Sequence, residues 1–273
     1  MVDSIESRIN AVSDKFTKSD RKLIEYFREH TFQDVIYQSI TELSELCGVG
    51  EATILRFCRK LGLKGYQEFK LVLAQELAKS SSSENEGFVG QIADNMTRAI
   101  EETKNIIDLD ELDKAVDIIV NSNRKYFFGL GNSGIVAREC KYRLLRIGLH
   151  VDAIVESHFQ AMSASTLSSE DVVVLISVSG STKDIIKVAK IAKENNVKVI
   201  VITNYSKSPV TKYADLVLYS VRKEGPLEGG SLISKISQLY VVDVLCTGIS
   251  LAIDGAADIA REKTARAVVD KIV

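Results

Sequence analysis

Leu175-Ile-Ser-Val-Ser-Gly-Ser-Thr-Lys-Asp184 decides the fold. Residues Val172 to Ile176 run into it as an unbroken apolar series, mostly β-branched. Such a series, closed by small polar residues, predicts a strand buried on both faces. Ser177, Ser179, Ser181 and Thr182 then surround Gly180, and Ile185, Ile186, Val188, Ala189 and Ile191 follow with helical spacing. Hydroxyls, a glycine and a helix start therefore meet at the carboxyl end of a buried strand. The first N–H groups of a helix have no partner inside it, and the helix dipole favours negative charge there. Serine and threonine hydroxyls add donors without adding charge. The stretch reads as a phosphate cradle. The plainer alternative is an N-capped turn, because Ser and Thr are frequent at helix starts for purely local reasons.

Tyr126-Phe-Phe-Gly-Leu-Gly-Asn-Ser-Gly134 repeats the pattern: strand, glycine turn, hydroxyl, then a helix from Ile135 to Arg146. It is half of a dinucleotide fingerprint, with Ile135 and Val136 where a further glycine belongs. A lone G-x-G carries little, but two strand–turn–helix cradles in one domain carry more. In an open parallel sheet, ligands sit where the strand order reverses. Working outward, apolar strands are expected at Tyr126–Phe128, His150–Val155, Val172–Ile176, Val197–Ile202 and Leu216–Tyr219, with helices Ile135–Arg146, Lys183–Asn195 and Ile233–Thr247 between and after them. This alternation predicts a doubly wound five-stranded parallel sheet. An order of 2-1-3-4-5 makes strands one and three neighbours and puts both cradles at the switch point.

Residues 1–79 read differently, as an all-α domain. Expected helices are Ile5–Val12, Arg21–His30 capped by Ser19 or Asp20, Phe32–Tyr37, a helix through Leu46 opened by the capping box Ser39-Ile-Thr-Glu42, Glu51–Leu61, and Tyr66–Lys79. Two short helices joined by a turn containing Gly48 read as a helix-turn-helix. Ile40, Leu43, Leu46, Val49, Ile54 and Phe57 are its expected core. The candidate DNA face is Ser39, Glu51, Ala52, Thr53, Arg56, Arg59, Lys60 and Lys64, with Thr53 and Arg56 toward base edges and Arg59, Lys60 and Lys64 toward phosphates. The alternative is an ordinary helical bundle with solvated charges, since acidic and basic groups balance in this region. Residues 80–88, opening with Ser80-Ser-Ser-Ser-Glu-Asn-Glu-Gly87, form a linker by composition, and residues 89–273 form the second domain. Within it, Val89–Ile107 and Leu112–Val120 are amphipathic helices placed either on the sheet or on a partner chain.

Composition sets the remaining bounds. The 273 residues suffice for two domains, and a net charge of −2 advertises no global basic field. Cys47, Cys58, Cys140 and Cys246 lack metal or redox spacing and read as free thiols of a cytoplasmic protein. No metal and no cofactor is expected. Asp3, Glu6 and Arg8 interrupt any secretory leader at the start. The apolar run Val241–Ile253 contains Asp243 and reads as too short to cross a bilayer, so no membrane partner is expected.

Phe128-Gly-Leu-Gly-Asn-Ser-Gly-Ile-Val-Ala137, Ile176-Ser-Val-Ser-Gly-Ser-Thr-Lys-Asp184 and Gln238-Leu-Tyr-Val-Val-Asp243 resemble the SIS (sugar isomerase) domain. The stretch from Cys47 to Lys70 resembles the helix-turn-helix of the RpiR family. The two in this order, over nearly the whole chain, resemble RpiR-type transcriptional regulators. That resemblance implies a DNA-binding first domain, an SIS effector domain that binds a phosphosugar, and a homodimer or homotetramer on double-stranded DNA with a palindromic operator. By motif, Ser177, Ser179 and Thr182 would hold the effector phosphate, Asn132 and Ser133 would meet the sugar, and Gly131, Gly180, Ser181 and Glu228 complete the candidate set. Gly50 stands where the family usually has Ser. The competing function is a sugar-phosphate isomerase using Glu156, His158 or Glu228 as acid–base groups. Such an enzyme has no use for a helix-turn-helix, which favours a non-catalytic regulator of sugar or amino-sugar catabolic genes.

Overall fold

In the computed structural model, which describes residues 4–30, 32–80, 88–221 and 232–269, strand and helix alternate from Lys125 onward. The strands are β1 (Lys125–Gly129), β2 (Asp152–Ile154), β3 (Val172–Ile176), β4 (Lys198–Thr203) and β5 (Leu216–Tyr219). They pair in parallel in the order β2-β1-β3-β4-β5. Phe128 lies beside Ile154 on one side and Leu175 on the other, and Val174 lies beside Ile200. The order reverses between β1 and β3, as the two cradles require.

Helices cover both faces, which is why β3 is apolar throughout: all five of its residues are buried. On one face, α8 (Leu109–Asn121), α9 (Asn132–Arg146) and α12 (Leu232–Ala252) pack on Phe127, Val172, Val174 and Ile176. On the other, α10 (Ser157–Ser165) and α11 (Lys183–Glu194) pack on Phe128, Val173, Leu175 and Val201. This compact unit comprises Ile92–Arg222 and Leu232–Val273, and so begins inside α7 (Phe88–Ile106) and ends with α13 (Asp254–Arg266).

Several expected boundaries shift for physical reasons. The second strand shrinks to Asp152–Ile154 because it lies at the sheet edge and is only partly covered. Helices α10 and α13 were not visible in the sequence: Ser-His-Phe-Gln-Ala-Met-Ser-Ala-Ser buries only Gln160 and Ala164, and α13 buries only Ala257, so neither carries an apolar stripe. The apolar run expected at Val241–Ile253 belongs to the 21-residue α12, which is long and apolar enough to cross a membrane by length and composition. Its inner face nevertheless buries Val241, Val242, Leu245 and Ile249 with Ser234, Ser237 and Gln238, which identifies it as a core helix.

The other compact unit, through Gln91, contains α1 (Ile5–Ala11), α2 (Lys18–Glu29), α3 (Phe32–Ile36), α4 (Ile40–Leu46), α5 (Glu51–Lys60) and α6 (Tyr66–Ser80). Leu23, Phe27, Leu43, Ile54, Phe57, Phe69 and Leu73 form its core. Phe57 stacks on Phe16 at 5.6 Å, and Phe27 on Phe69 at 5.4 Å. Ile54 and Phe57 are buried as the helical spacing predicts, but Leu46 is 59% exposed and lies outside the core. Helix α2 starts earlier than expected. Thr17, not Ser19 or Asp20, is its N-cap, and Asp20 at the third helical position returns the hydrogen bond. The serine-rich segment between the domains lies largely outside the described residues: α6 ends at Ser80 and α7 begins at Phe88.

Candidate functional site

At the carboxyl end of β1, three glycines let the chain turn into α9 without a gap. A Cβ on Gly129 would sit 2.4 Å from the Ser133 carbonyl oxygen, so only glycine lets the first turn of α9 rest on the strand end. Gly131 takes φ +55 and is the N-cap of α9, with no side chain closing the helix start. A Cβ on Gly134 would press against Gly129 O and Val155 Cγ1, both at 3.1 Å. Asn132 is half-buried, and Ser133 is buried at the same turn.

The second cradle is built similarly beside it. Ser177 N–H donates to Ile202 O (3.0 Å) and Gly180 N–H to Ser177 O (3.3 Å), which curls the chain after β3. Gly180 is left-handed at φ +57, and a Cβ there would lie 2.1 Å from Ser208 Oγ. Val210 N–H donates to Gly180 O at 3.0 Å. Ser179 Oγ accepts from Ser181 N–H (3.2 Å), and Ser181 Oγ donates to Ser179 O (3.1 Å). Thr203 Oγ1 and Asn204 N–H both donate to Val178 O from the end of β4, holding the turn from behind. Thr182 is the N-cap of α11, and its side chain makes no capping bond. The structure thus brings Gly131, Asn132 and Ser133 to one helix start, and Ser177, Ser179, Gly180, Ser181 and Thr182 to the other, after two adjacent strands. Glu228 lies outside the described residues.

Glu156 and His158 form a different kind of pair. Glu156 caps α10, accepting from His158 N–H (3.2 Å), Phe159 N–H (3.0 Å) and His158 Nδ1 (2.8 Å). The His158 ring, then the Phe159 and His158 amides, hold its carboxyl down at about 2. A carboxylate that acidic is a weak proton acceptor near neutral pH. The pair closes a helix start.

Two glutamines at this end were not singled out for a role by the sequence reading. Gln160 Nε2 donates to Gly129 O (3.1 Å) and Ile154 O (2.7 Å), tying the ends of β1 and β2 together. Gln238, on the inner face of α12, is fully buried and accepts from Ser133 Oγ at 3.5 Å. For Gln238 the available signal was a polar residue standing within an apolar helical stripe; Gln160 lies in a helix without such a stripe and gave none.

The candidate DNA face lies in the other unit. Gly48 (φ +59) turns the chain between α4 and α5, with Val49 N–H donating to Ser44 O at 3.0 Å. Gly50 is the N-cap of α5 without a side-chain bond, so that helix start is open. Ala52, Arg56, Arg59 and Lys64 are exposed, and Thr53 is half-buried, accepting from Arg56 Nη2 at 3.1 Å. Other members of the expected set are engaged within the fold. Ser39 caps α4, Glu51 accepts from Thr41 Oγ1 (2.8 Å), and Lys60 Nζ lies 2.6 Å from Asp20 Oδ2. Among the described residues, no group of three or more His, Cys, Asp or Glu side chains is placed to hold a metal.

The helix-turn-helix domain of the rpiR family matches residues 4–80, and the SIS domain matches residues 118–248. The chain is 39% identical over 246 residues to an uncharacterised HTH-type transcriptional regulator of Clostridium perfringens, covering 86% of this chain and 88% of that one. It is 35% identical to another such regulator from Haemophilus influenzae, covering 98% and 97%. Among solved structures it is similar to the Vibrio vulnificus NanR protein complexed with ManNAc-6P, at 32% identity and a TM-score of 0.90, covering 97% of this chain and 98% of that one.

Proposed function

The chain belongs to the rpiR family of helix-turn-helix transcriptional regulators with an SIS domain, and on that premise we propose that residues 89–273 bind a sugar 6-phosphate which sets how residues 1–79 bind DNA. The observation that carries this reading is the pair of uncapped helix starts, α9 and α11, after the two strands at the switch point. Ser177, Ser179, Gly180, Ser181 and Thr182 are assigned to the phosphate, Gly131, Asn132 and Ser133 to the sugar, and Glu228 completes the set. The complex of the similar NanR protein makes N-acetylmannosamine 6-phosphate the first effector to try, and genes of amino-sugar catabolism the first targets.

On DNA, the exposed Arg56 and the half-buried Thr53 are assigned to base edges, and Arg59 and Lys64 to phosphates. One short recognition helix reads few base pairs, and no excess of positive charge compensates. Two copies paired through apolar helical faces would read a palindrome with half-sites a helical turn or a multiple apart. A protein that reads chromosomal DNA works in the cytoplasm.

The test is calorimetry with glucose, glucosamine, N-acetylglucosamine and N-acetylmannosamine 6-phosphates, each against its unphosphorylated sugar. One member should bind, with the phosphate required. Equal affinity for that sugar and its 6-phosphate overturns the phosphate assignment.

A further inference from the structure

Gln238 is fully buried, and its Nε2 has no hydrogen-bond partner. Its Oε1 lies 3.5 Å from Ser133 Oγ, in the first turn of α9, at the long limit for such a bond. Turning the amide over exchanges which end meets Ser133 but still leaves the other end alone. A buried amide N–H without an acceptor is rarer in native proteins than an under-used carbonyl oxygen. Ser133 stands beside it with one proton to give and lone pairs to receive, at the uncapped helix start assigned above to the sugar.

We propose that Gln238 is a positioning residue of the effector site, acting through Ser133. With effector present, the Ser133 hydroxyl turns its proton to a ligand oxygen, and its own oxygen accepts from the Gln238 amide. The result is a directional chain, Nε2–H to Oγ–H to ligand oxygen, in which each bond polarises the next. Such a chain selects a ligand with an acceptor oxygen at that point and rejects one with a donor. It also joins the start of α9 to α12. These two helices meet again two turns on, where Cys140 and Cys246 are buried in the same core and Arg143 pairs with Asp243. Effector binding is therefore felt along the whole α9–α12 seam.

This inference rests on the effector reading, and the test separates the two. The probe is the tightest-binding of the four sugar 6-phosphates named above, titrated calorimetrically into wild-type chain and into Gln238→Glu, Gln238→Leu and Ser133→Ala, with folding checked by melting. Gln238→Glu replaces the donor by an acceptor that competes for the Ser133 proton. At pH 8 it should weaken binding by about tenfold or more relative to wild type. As pH falls toward 5 the introduced carboxyl protonates, becomes a donor again, and the ratio to wild type should recover to within about threefold. Taking the ratio at each pH cancels the ionisation of the ligand phosphate. Gln238→Leu should weaken binding by a smaller factor that does not change with pH. In the Ser133→Ala background, Gln238→Glu should add less than about twofold, because the link in the chain is gone. Equal, pH-independent losses for the Glu and Leu variants, or full additivity with Ser133→Ala, overturn the proposal. A wild-type chain that binds none of the four overturns the effector reading as well.

Discussion

Removing the carboxylate at Asp20 should show how the recognition helix is held. Asp20 is 1% exposed and accepts three hydrogen bonds: from Thr17 N–H at 2.7 Å, Thr17 Oγ1 at 2.7 Å, and Lys60 Nζ of α5 at 2.6 Å. Asp20→Ala strands the helix-start amide and the ammonium together. Removing one partner of a buried ion pair costs about 3–5 kcal/mol. Lys60 keeps 30% of its side chain in solvent and can rehydrate, which argues for the lower end, about 3 kcal/mol with the lost cap included. Domains of this kind are stable by roughly 5–15 kcal/mol in total, so the loss is large but survivable. The pH dependence carries the sign. Burial pushes the Asp20 carboxyl up, but the Lys60 bond and the two Thr17 bonds outweigh it, and the folded value lies below the ordinary 3.8. Its contribution is therefore complete above about pH 4 and lost as pH falls through the folded value. Calorimetric unfolding of wild type and Asp20→Ala at pH 7 should separate the transitions of this unit by about 3 kcal/mol, with the gap narrowing as pH falls below the ordinary carboxylate range. A gap under about 0.5 kcal/mol at pH 7, or one equally wide in acid, would refute the strut.

Other expectations follow from the same geometry. Lys60→Ala should lower stability yet leave the salt slope of DNA binding at its wild-type value, whereas Lys64→Ala should lower that slope by about one unit, read by titration against random DNA. Arg56→Ala should cost about 1–3 kcal/mol of discrimination between operator and random sequence; unchanged preference in a competition assay rules out its contact with a base edge. Ser179→Ala and Thr182→Ala should each weaken effector binding by about 1–3 kcal/mol with DNA affinity of the effector-free protein retained, measured by calorimetry. Gly180→Ala combines a φ of +57 with a Cβ placed 2.1 Å from Ser208 Oγ, and should destabilise by about 2–5 kcal/mol in urea unfolding.

What could be read from residues alone divides along physical lines. The centre of the sheet was legible because a strand buried on both faces must be apolar at every position: Val172–Ile176 coincides with β3, and Leu216–Tyr219 coincides with the edge strand β5, which buries alternate residues. The capping box at Ser39 and Glu42 was legible because both of its bonds are local. Asp20 in α2 and Lys60 in α5 were not. Each looks like a solvated charge in sequence, and only the packing of two helices 40 residues apart makes them a buried pair. On spacing alone, Lys60 therefore reads as a phosphate contact. The cap at Glu156 was not legible for a related reason: α10 has no apolar stripe, and without the helix there is no start for Glu156 to cap.

That cap also bears on why the ligand belongs where it does. Five helix starts among the described residues are closed from within: Ser4, Thr17, Ser39, Asp108 and Glu156 each accept from an amide of their own helix. Glu156 does so as a full carboxylate, neutralising the positive end of α10 beside the cradles. Gly50, Gly131 and Thr182 offer no such bond, and they open α5, α9 and α11. The weakly packed α13, opened by Ile253, is also uncapped, so an open start alone is not diagnostic. What sets the three apart is placement: α9 and α11 follow neighbouring strands at the reversal of sheet order, and α5 is the second helix of a helix-turn-helix. Leaving a start uncapped costs about 0.5–2 kcal/mol of helix stability relative to a good side-chain cap, or only a few tenths when glycine stands there. An anion bound from outside restores what the missing side chain would have supplied. On the proposed assignments, sugar phosphate and DNA phosphate would be met by one device used in two domains, with unclosed amides at the end of a helix and hydroxyls or guanidinium groups arranged around them.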